Sequence, residues 1–362
     1  MKAAHGGNIW SVLEKSALSR SQILDFSADL NPLGPPPGLE EVLRESWADG
    51  SLYPEPTYRN LRQALARFDG IDPARILPGN GTADLIHLIT RWRKGKRAVV
   101  CVPTFTEYER AVLADGGEVS HWFLRSEDQF LPSFAPQPES GGADLLFLCN
   151  PNNPTGRLWP RARLLECLER WDRAGATAVV DEAYLGFVEG EATGSAVRWL
   201  ERFPRLIVLR SMTKLFSVPG LRLGYLAASP ECVAALGRIQ PPWPVNGPAV
   251  SAGIWLTQQR EYIEESRRAI RAARQTMAAE LAKLPGLRPF PTEANFFLCR
   301  LISPSWTAAR LAAELAERGI LIRTGDDFTG LEPGRFFRVA VRRPEENRRL
   351  LAALREVMAD AR

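Results

Sequence analysis

From about residue 75 onward, short uninterrupted apolar runs alternate with segments whose apolar positions recur every three or four residues. RAVVCV (97–102), DLLFLC (144–149), ATAVV (176–180), RLIVL (205–209) and LRLGYLA (221–227) are largely apolar on successive positions. Both faces of such runs are buried, as strands of a helix-covered, mostly parallel sheet require. Residues 82–92, 104–115 and 160–173 carry the helical period between them. The alternation predicts an α/β fold built on an open sheet with right-handed crossovers.

The flanks read differently. Asn8–Lys15 is a short helix candidate, and the prolines of DLNPLGPPPGLEEV forbid regular structure until a helix begins near Leu39. Residues 249–283 predict one long helix rich in Arg, Glu and Ala. Three strands follow, in GLRPFPTEANFFLCRL, ILIRTG and RFFRVAV, with helices in WTAARLAAELAERG and PEENRRLLAALREVMAD. This is the pattern of a smaller α/β domain completed by the N-terminal segment. The expected division is a large domain over 46–250 and a small one over 1–45 with 251–362.

Composition narrows the class. With 362 residues, 45% hydrophobic and 24% charged, the chain is globular rather than disordered or fibrous. A net charge of +4, from 46 basic and 42 acidic side chains without a basic tail, gives no reason to expect a nucleic-acid partner. Cys101, Cys149, Cys167, Cys232 and Cys299 lack metal-ligand spacing, and three lie in apolar runs, so no metal site and a reducing compartment are expected. No run reaches the roughly 18 apolar residues of a membrane span, and the first thirty residues lack a signal-length apolar segment, so the expected location is cytoplasmic, away from membranes.

Chemistry concentrates where the strands end. PTFTEY, NPNNPTG, DEAYLGF and SMTKLF each follow an apolar run, and in open α/β sheets the carboxyl ends of strands border one ligand crevice. Lys214 stands in a tract of mostly apolar or small residues, where desolvation favours the neutral amine that condenses with a carbonyl; a solvated turn lysine fits the spacing equally well. Asp181 closes ATAVV at the sheet mouth. It suits either a helix cap or the partner of a protonated heterocyclic nitrogen. Gly79, Gly81 and Thr82 precede a helix, which lets backbone amides approach a phosphate, with Ser211, Thr213 and Arg222 as further donors. Arg338, alternating with Phe336 and Ala340, is either a carboxylate clamp or a surface ion pair.

Together NPNNPTG, DEAY, SMTK followed by Arg222, and FFRVAVR resemble the class I/II aminotransferase superfamily of pyridoxal-phosphate enzymes over nearly the whole chain. The resemblance implies the aspartate-aminotransferase fold (fold type I) and pyridoxal 5'-phosphate as cofactor. It implies that Lys214 carries the cofactor as a Schiff base, that Asp181 pairs with the pyridine nitrogen, and that Asn153 and Tyr184 bond its phenolic oxygen. Gly81, Thr82, Ser211, Thr213 and Arg222 then hold the phosphate, Phe105 stacks on the ring, and Arg338 takes the substrate carboxylate. Tyr53, in SLYPEPTY, resembles the tyrosine that reaches a neighbouring subunit's site, implying a homodimer with shared active sites.

Within the superfamily two subgroups are similar, the threonine-phosphate decarboxylases of cobalamin synthesis and the histidinol-phosphate aminotransferases. HGGNIW and ILDFSADLNPLGPP resemble the decarboxylase start. That likeness implies a phosphorylated amino acid as substrate, with His5, Gly6, Asn31 and Asn153 closing on it and Arg323 favouring its phosphate. The expected reaction is decarboxylation, with histidinol-phosphate transamination as the alternative.

Overall fold

The protein is described by a computed structural model over residues 6–14, 18–48, 50–93, 96–138, 142–190 and 194–359. The strands run β1 (Leu24–Asp25), β2 (Ile76–Gly79), β3 (Arg97–Val102), β4 (Glu118–Phe123), β5 (Leu145–Cys149), β6 (Thr177–Asp181), β7 (Leu206–Ser211) and β8 (Gly224–Ala227). They continue as β9 (Leu287–Pro289), β10 (Phe296–Leu301), β11 (Ile320–Leu321), β12 (Arg323–Thr324) and β13 (Phe336–Ala340). The helices that matter for the site are α1 (Thr82–Trp92), α2 (Glu107–Ala114), α3 (Gly247–Leu256) and α4 (Arg260–Leu281).

Seven strands form the large sheet in the order β2-β8-β7-β6-β5-β3-β4. The neighbours from β7 to β4 pair in parallel, whereas β8 runs antiparallel to both β7 and β2. All five residues of β5 and all five of β6 are buried, which is why their sequences read as continuous apolar runs. One consequence fixes the site. The carboxyl ends of β2, β3, β5, β6 and β7 lie along one edge, and the amino end of β8 returns to it, with Gly224 opposite Ser211.

Two strands of this sheet are not legible as apolar runs. β4 is exposed or half-exposed throughout as the edge strand, and β2 carries Pro78 within only four residues. The long helix expected over 249–283 is two, α3 and α4, interrupted at Thr257–Gln259. There the Thr257 hydroxyl and the Gln258 and Gln259 amides donate to the carbonyls of Ile254 and Trp255, competing with the helical ladder.

A four-stranded antiparallel sheet, β12-β13-β10-β9, carries the C-terminal region. ILIRTG, read as one strand, divides between two sheets: β11 pairs in parallel with β1, and β12 pairs with β13. Phe26 links the two sheets through backbone bonds to Leu321 and Ala340. A buried apolar cluster around Phe26, Phe297, Phe337 and Leu354 is separate from the larger one around the seven-stranded sheet. We propose the division into 46–250 and 1–45 with 251–362 on the support of these two clusters. The larger cluster nevertheless also takes in Leu39, Ile263 and Phe336.

Candidate active site

A cavity of about 730 Å³ opens at the edge where the parallel strands end. Gly81 and Thr82 reach it from the end of β2, Phe105 after β3, and Asn153 after β5. Asp181 and Tyr184 come from β6, and Ser211, Thr213 and Lys214 from β7. Arg222 enters just before β8, while Gly6, Arg323 and Arg338 come from the N- and C-terminal regions. Residues spread over more than three hundred positions thus share one space.

Asn31 and Tyr53 do not line this cavity. Asn31 faces away from the cavity: its amide donates to Leu215 O, Tyr262 Oη and Ser266 Oγ at 2.8, 2.9 and 2.7 Å. It is a buried brace between the N-terminal loop and α4, and its own backbone N–H donates to Lys214 O at 3.0 Å. Tyr53 is 77% exposed and stacks on Trp243 with ring centroids 4.3 Å apart, outside its own chain's cavity. His5 lies outside the described residues.

Asp29, not expected from sequence, stands at the centre of the site. It is 3% exposed, and its Oδ1 accepts from Lys214 Nζ at 2.6 Å. Its Oδ2 accepts from Arg338 Nη1 at 2.8 Å and from the Tyr184 hydroxyl. Burial alone would raise its pKa, but the charges of Arg338 and Lys214, with the hydrogen bonds from Lys214 and Tyr184, hold the carboxyl well below its usual range. Arg338 is itself buried; Nη1 also donates to Asn153 Oδ1 at 2.6 Å and Nη2 to Ser27 O at 2.8 Å.

Asp181 presents the opposite electrostatic case. Its Oδ2 accepts from Tyr108 Oη at 2.7 Å and its Oδ1 from Ala183 N at 2.9 Å, and among the described residues it has no ion-pair partner. Burial pushes its pKa up to about 6, against the two hydrogen bonds and the more distant Lys214 charge. Tyr108, fully buried in the first turn of α2, is the second residue that sequence did not single out.

These features fit pyridoxal phosphate. A buried carboxylate without a cation suits a protonated ring nitrogen. Gly81 has φ +80, and a Cβ there would lie 2.7 Å from Arg222 Nη2, so the absent side chain leaves a cradle between the guanidinium and the amino end of α1. Lys214 Nζ lies 5.8 Å from the centre of the Tyr184 ring, and Asn153 lines the same cavity.

Comparison with known proteins agrees with this geometry. The threonine-phosphate decarboxylase of Salmonella typhimurium strain LT2 is 37% identical over 358 residues, covering 98% of this chain and 97% of its own. The crystal structure of L-threonine-O-3-phosphate decarboxylase from Porphyromonas gingivalis superimposes with a TM-score of 0.83 at 28% identity, covering 92% of this chain and 99% of that one. Histidinol-phosphate aminotransferase from Sinorhizobium meliloti, solved with pyridoxal 5'-phosphate, superimposes with a TM-score of 0.81 at 26% identity, covering 92% and 90%. The family described as aminotransferase class I and II matches residues 22–354. With its fold type I architecture and its cofactor cradle, the chain belongs to the class I and II aminotransferases and uses their pyridoxal-phosphate cofactor.

Proposed function

We propose that this enzyme decarboxylates L-threonine O-3-phosphate to (R)-1-amino-2-propanol O-2-phosphate and CO2, a step of cobalamin biosynthesis. The carrying observation is near full-length likeness to a threonine-phosphate decarboxylase, joined to a cavity with anchors for two anionic groups. Arg323 and Arg338 stand directly opposite each other on β12 and β13. Opposed residues of an antiparallel pair project from the same face, so the two guanidiniums, each held by its own carboxylate, present their remaining donors to one stretch of the cavity. Arg323 is tied at 2.5 Å to Asp327 and lies over Phe328, which fixes its guanidinium at the cavity wall. We assign it the substrate phosphate, and Arg338 the carboxylate. Arg20 and Arg342 also line the cavity and add positive charge.

When bound, pyridoxal phosphate supplies the electron sink that makes a bond at the substrate's α-carbon labile. The protein decides which bond. Lys214 would hold the cofactor covalently, Asp181 its ring nitrogen, and Asn153 and Tyr184 its phenolic oxygen. Gly81, Thr82, Ser211, Thr213 and Arg222 would hold its phosphate, with Phe105 against the ring. Two arginines on one sheet face then grip both ends of the substrate, so its orientation is set by rigid strands rather than loops. Gly6 lines the cavity from the N-terminal segment, and we assign its sequence neighbour His5 a contact with the substrate. Exposed Tyr53, with Leu52 and Trp47 nearby in sequence and 69% and 75% exposed, supports a homodimer in which Tyr53 completes the partner's site. Among the described residues no helix is long and apolar enough to cross a membrane.

Purified holoenzyme given phosphothreonine should release CO2 without a keto-acid acceptor. Conversion of histidinol phosphate to the corresponding ketone at the expense of a keto-acid acceptor, and no CO2 from phosphothreonine, would reassign the chain to the aminotransferase subgroup.

A further inference from the structure

The carboxylate of Asp29 occupies the guanidinium assigned above to the substrate's own carboxylate. Oδ2 sits 2.8 Å from Arg338 Nη1, while Nη2 is held by Ser27 O and Nε is buried without a partner. Retreat of Asp29 is restricted on both sides. Its carbonyl accepts from Asn295 Nδ2 at 3.0 Å, and two residues on, the Asn31 N–H is bonded to Lys214 O. A carboxylate arriving at Arg338 therefore meets a second carboxylate already in contact with the same cation.

The groups facing Asp29 determine the outcome. Lys214 approaches from the loop after β7, Tyr184 from the turn after β6, Arg338 from β13, and the Cys149 thiol stands at the end of β5. On its own segment Asp25 is committed to Ser27 and Ala28, while Asp181, Arg323 and Arg342 line the same cavity further off. In the free protein two cations neutralise Asp29. Once Lys214 carries the cofactor and a ligand carboxylate shares Arg338, two negative groups compete for one guanidinium, and one of them gains a proton.

We propose that Asp29 is a specificity-determining residue: the substrate's carboxylate binds at Arg338 together with one proton, which the Asp29 carboxylate takes up from solvent to become a neutral acid. This rests on the reading that Arg338 takes the substrate carboxylate. It also suits the proposed reaction. Loss of CO2 from an amino acid consumes one proton for each CO2 formed, whereas transamination consumes none. A site that loads a proton with its carboxylate ligand is matched to the former.

The test is calorimetric binding to the cofactor-loaded protein, in two buffers of different protonation enthalpy, between about pH 5 and 8. The probes are 3-phosphoglycerate and glycerol 3-phosphate, neither of which has an amine to react. Both carry a phosphate, so the difference in proton uptake isolates the carboxylate. For the wild type we expect an additional uptake approaching one proton for 3-phosphoglycerate toward the acidic end. Its affinity should weaken as pH rises, up to tenfold per unit, until the pKa of Asp29 in the complex is passed. Asp29→Asn, which keeps the shape, should show no such difference and bind 3-phosphoglycerate roughly tenfold tighter above that pKa. Equal proton uptake for the two ligands in the wild type, or the extra uptake persisting in Asp29→Asn, overturns the proposal. Arg338→Ala separates the two levels of inference. If that variant still prefers 3-phosphoglycerate, the underlying carboxylate assignment fails. If it loses the preference while the wild type takes up no extra proton, only the role of Asp29 fails.

Discussion

Replacing Asp181 by Asn should stabilise the cofactor-free protein at neutral pH while weakening its hold on the cofactor. In the wild type the carboxyl is buried beside one hydroxyl and one amide, with its pKa raised from 3.8 to about 6. A carboxyl whose folded pKa exceeds its unfolded value leaves the unfolded chain with fewer bound protons, so stability declines as pH rises between the two values. A shift of about two units corresponds to about 3 kcal/mol lost above pH ~6. The amide side chain has no such loss: its oxygen still accepts from Ala183 N–H, and its nitrogen can donate to Tyr108 Oη once that hydroxyl rotates. Thermal denaturation of the apo forms across about pH 4 to 8 should show the Asp181→Asn variant level with wild type at the acid end and several degrees more stable at the alkaline end. In the holo forms the order should reverse, because a protonated ring nitrogen returns to wild-type Asp181 the partner it lacks, and that gain is absent in the variant. An apo stability difference that is flat with pH, or a variant less stable than wild type at about pH 8, would refute the idea that Asp181 is a buried charge awaiting a cation.

Three further substitutions probe the rest of the site. Lys214→Ala should abolish the visible absorbance of the covalently held cofactor while leaving some phosphate-anchored binding, measured by spectral titration; an unchanged band would remove the lysine from its role. Arg338→Ala leaves Asp29 with Lys214 as its one ion-pair partner among the described residues and removes the donors to Asn153 and Ser27, so it should cost about 1–3 kcal/mol in stability and raise the KM for phosphothreonine, read by denaturation and CO2 release. Tyr53→Ala should fold normally yet lose activity, and mixing it with Lys214→Ala subunits should restore CO2 release, since a mixed dimer then holds one complete site; no recovery on mixing argues against a shared site.

How far the sequence could be read depended on whether a residue's role was written in local pattern or in a turn. Strands β3, β5, β6 and β7 were legible because burial on both faces leaves an unbroken apolar run, and each run pointed to the chemistry that follows it. That is why Lys214, Asp181, Asn153 and Tyr184 could be placed together although no local spacing joins them. Edge strand β4 left no such run because solvent covers much of it. Asp29 and Asn31 show the harder limit. In an extended segment they would share a face, two residues apart, and the family likeness points to Asn31, next to Pro32, as the one at the substrate. Instead the chain turns at Asn31, whose carbonyl accepts from Gly34 N and whose Oδ1 accepts from Leu33 N, and this rotates its amide onto α4. Asp29, before the turn, keeps the cavity. Tyr108 was hidden for a related reason: its hydroxyl reaches Asp181 only because α2 packs its first turn under the end of β6, a contact between segments 73 residues apart. The residues we assign to the cofactor were marked by motif order, whereas Asp29 and Tyr108 are defined by pairings across the fold. The choice between reactions that we attribute to Asp29 therefore rests on a residue that neither periodicity nor motif spacing marks. Asp29, in contact with both Lys214 and Arg338, is the position through which such a distinction would act.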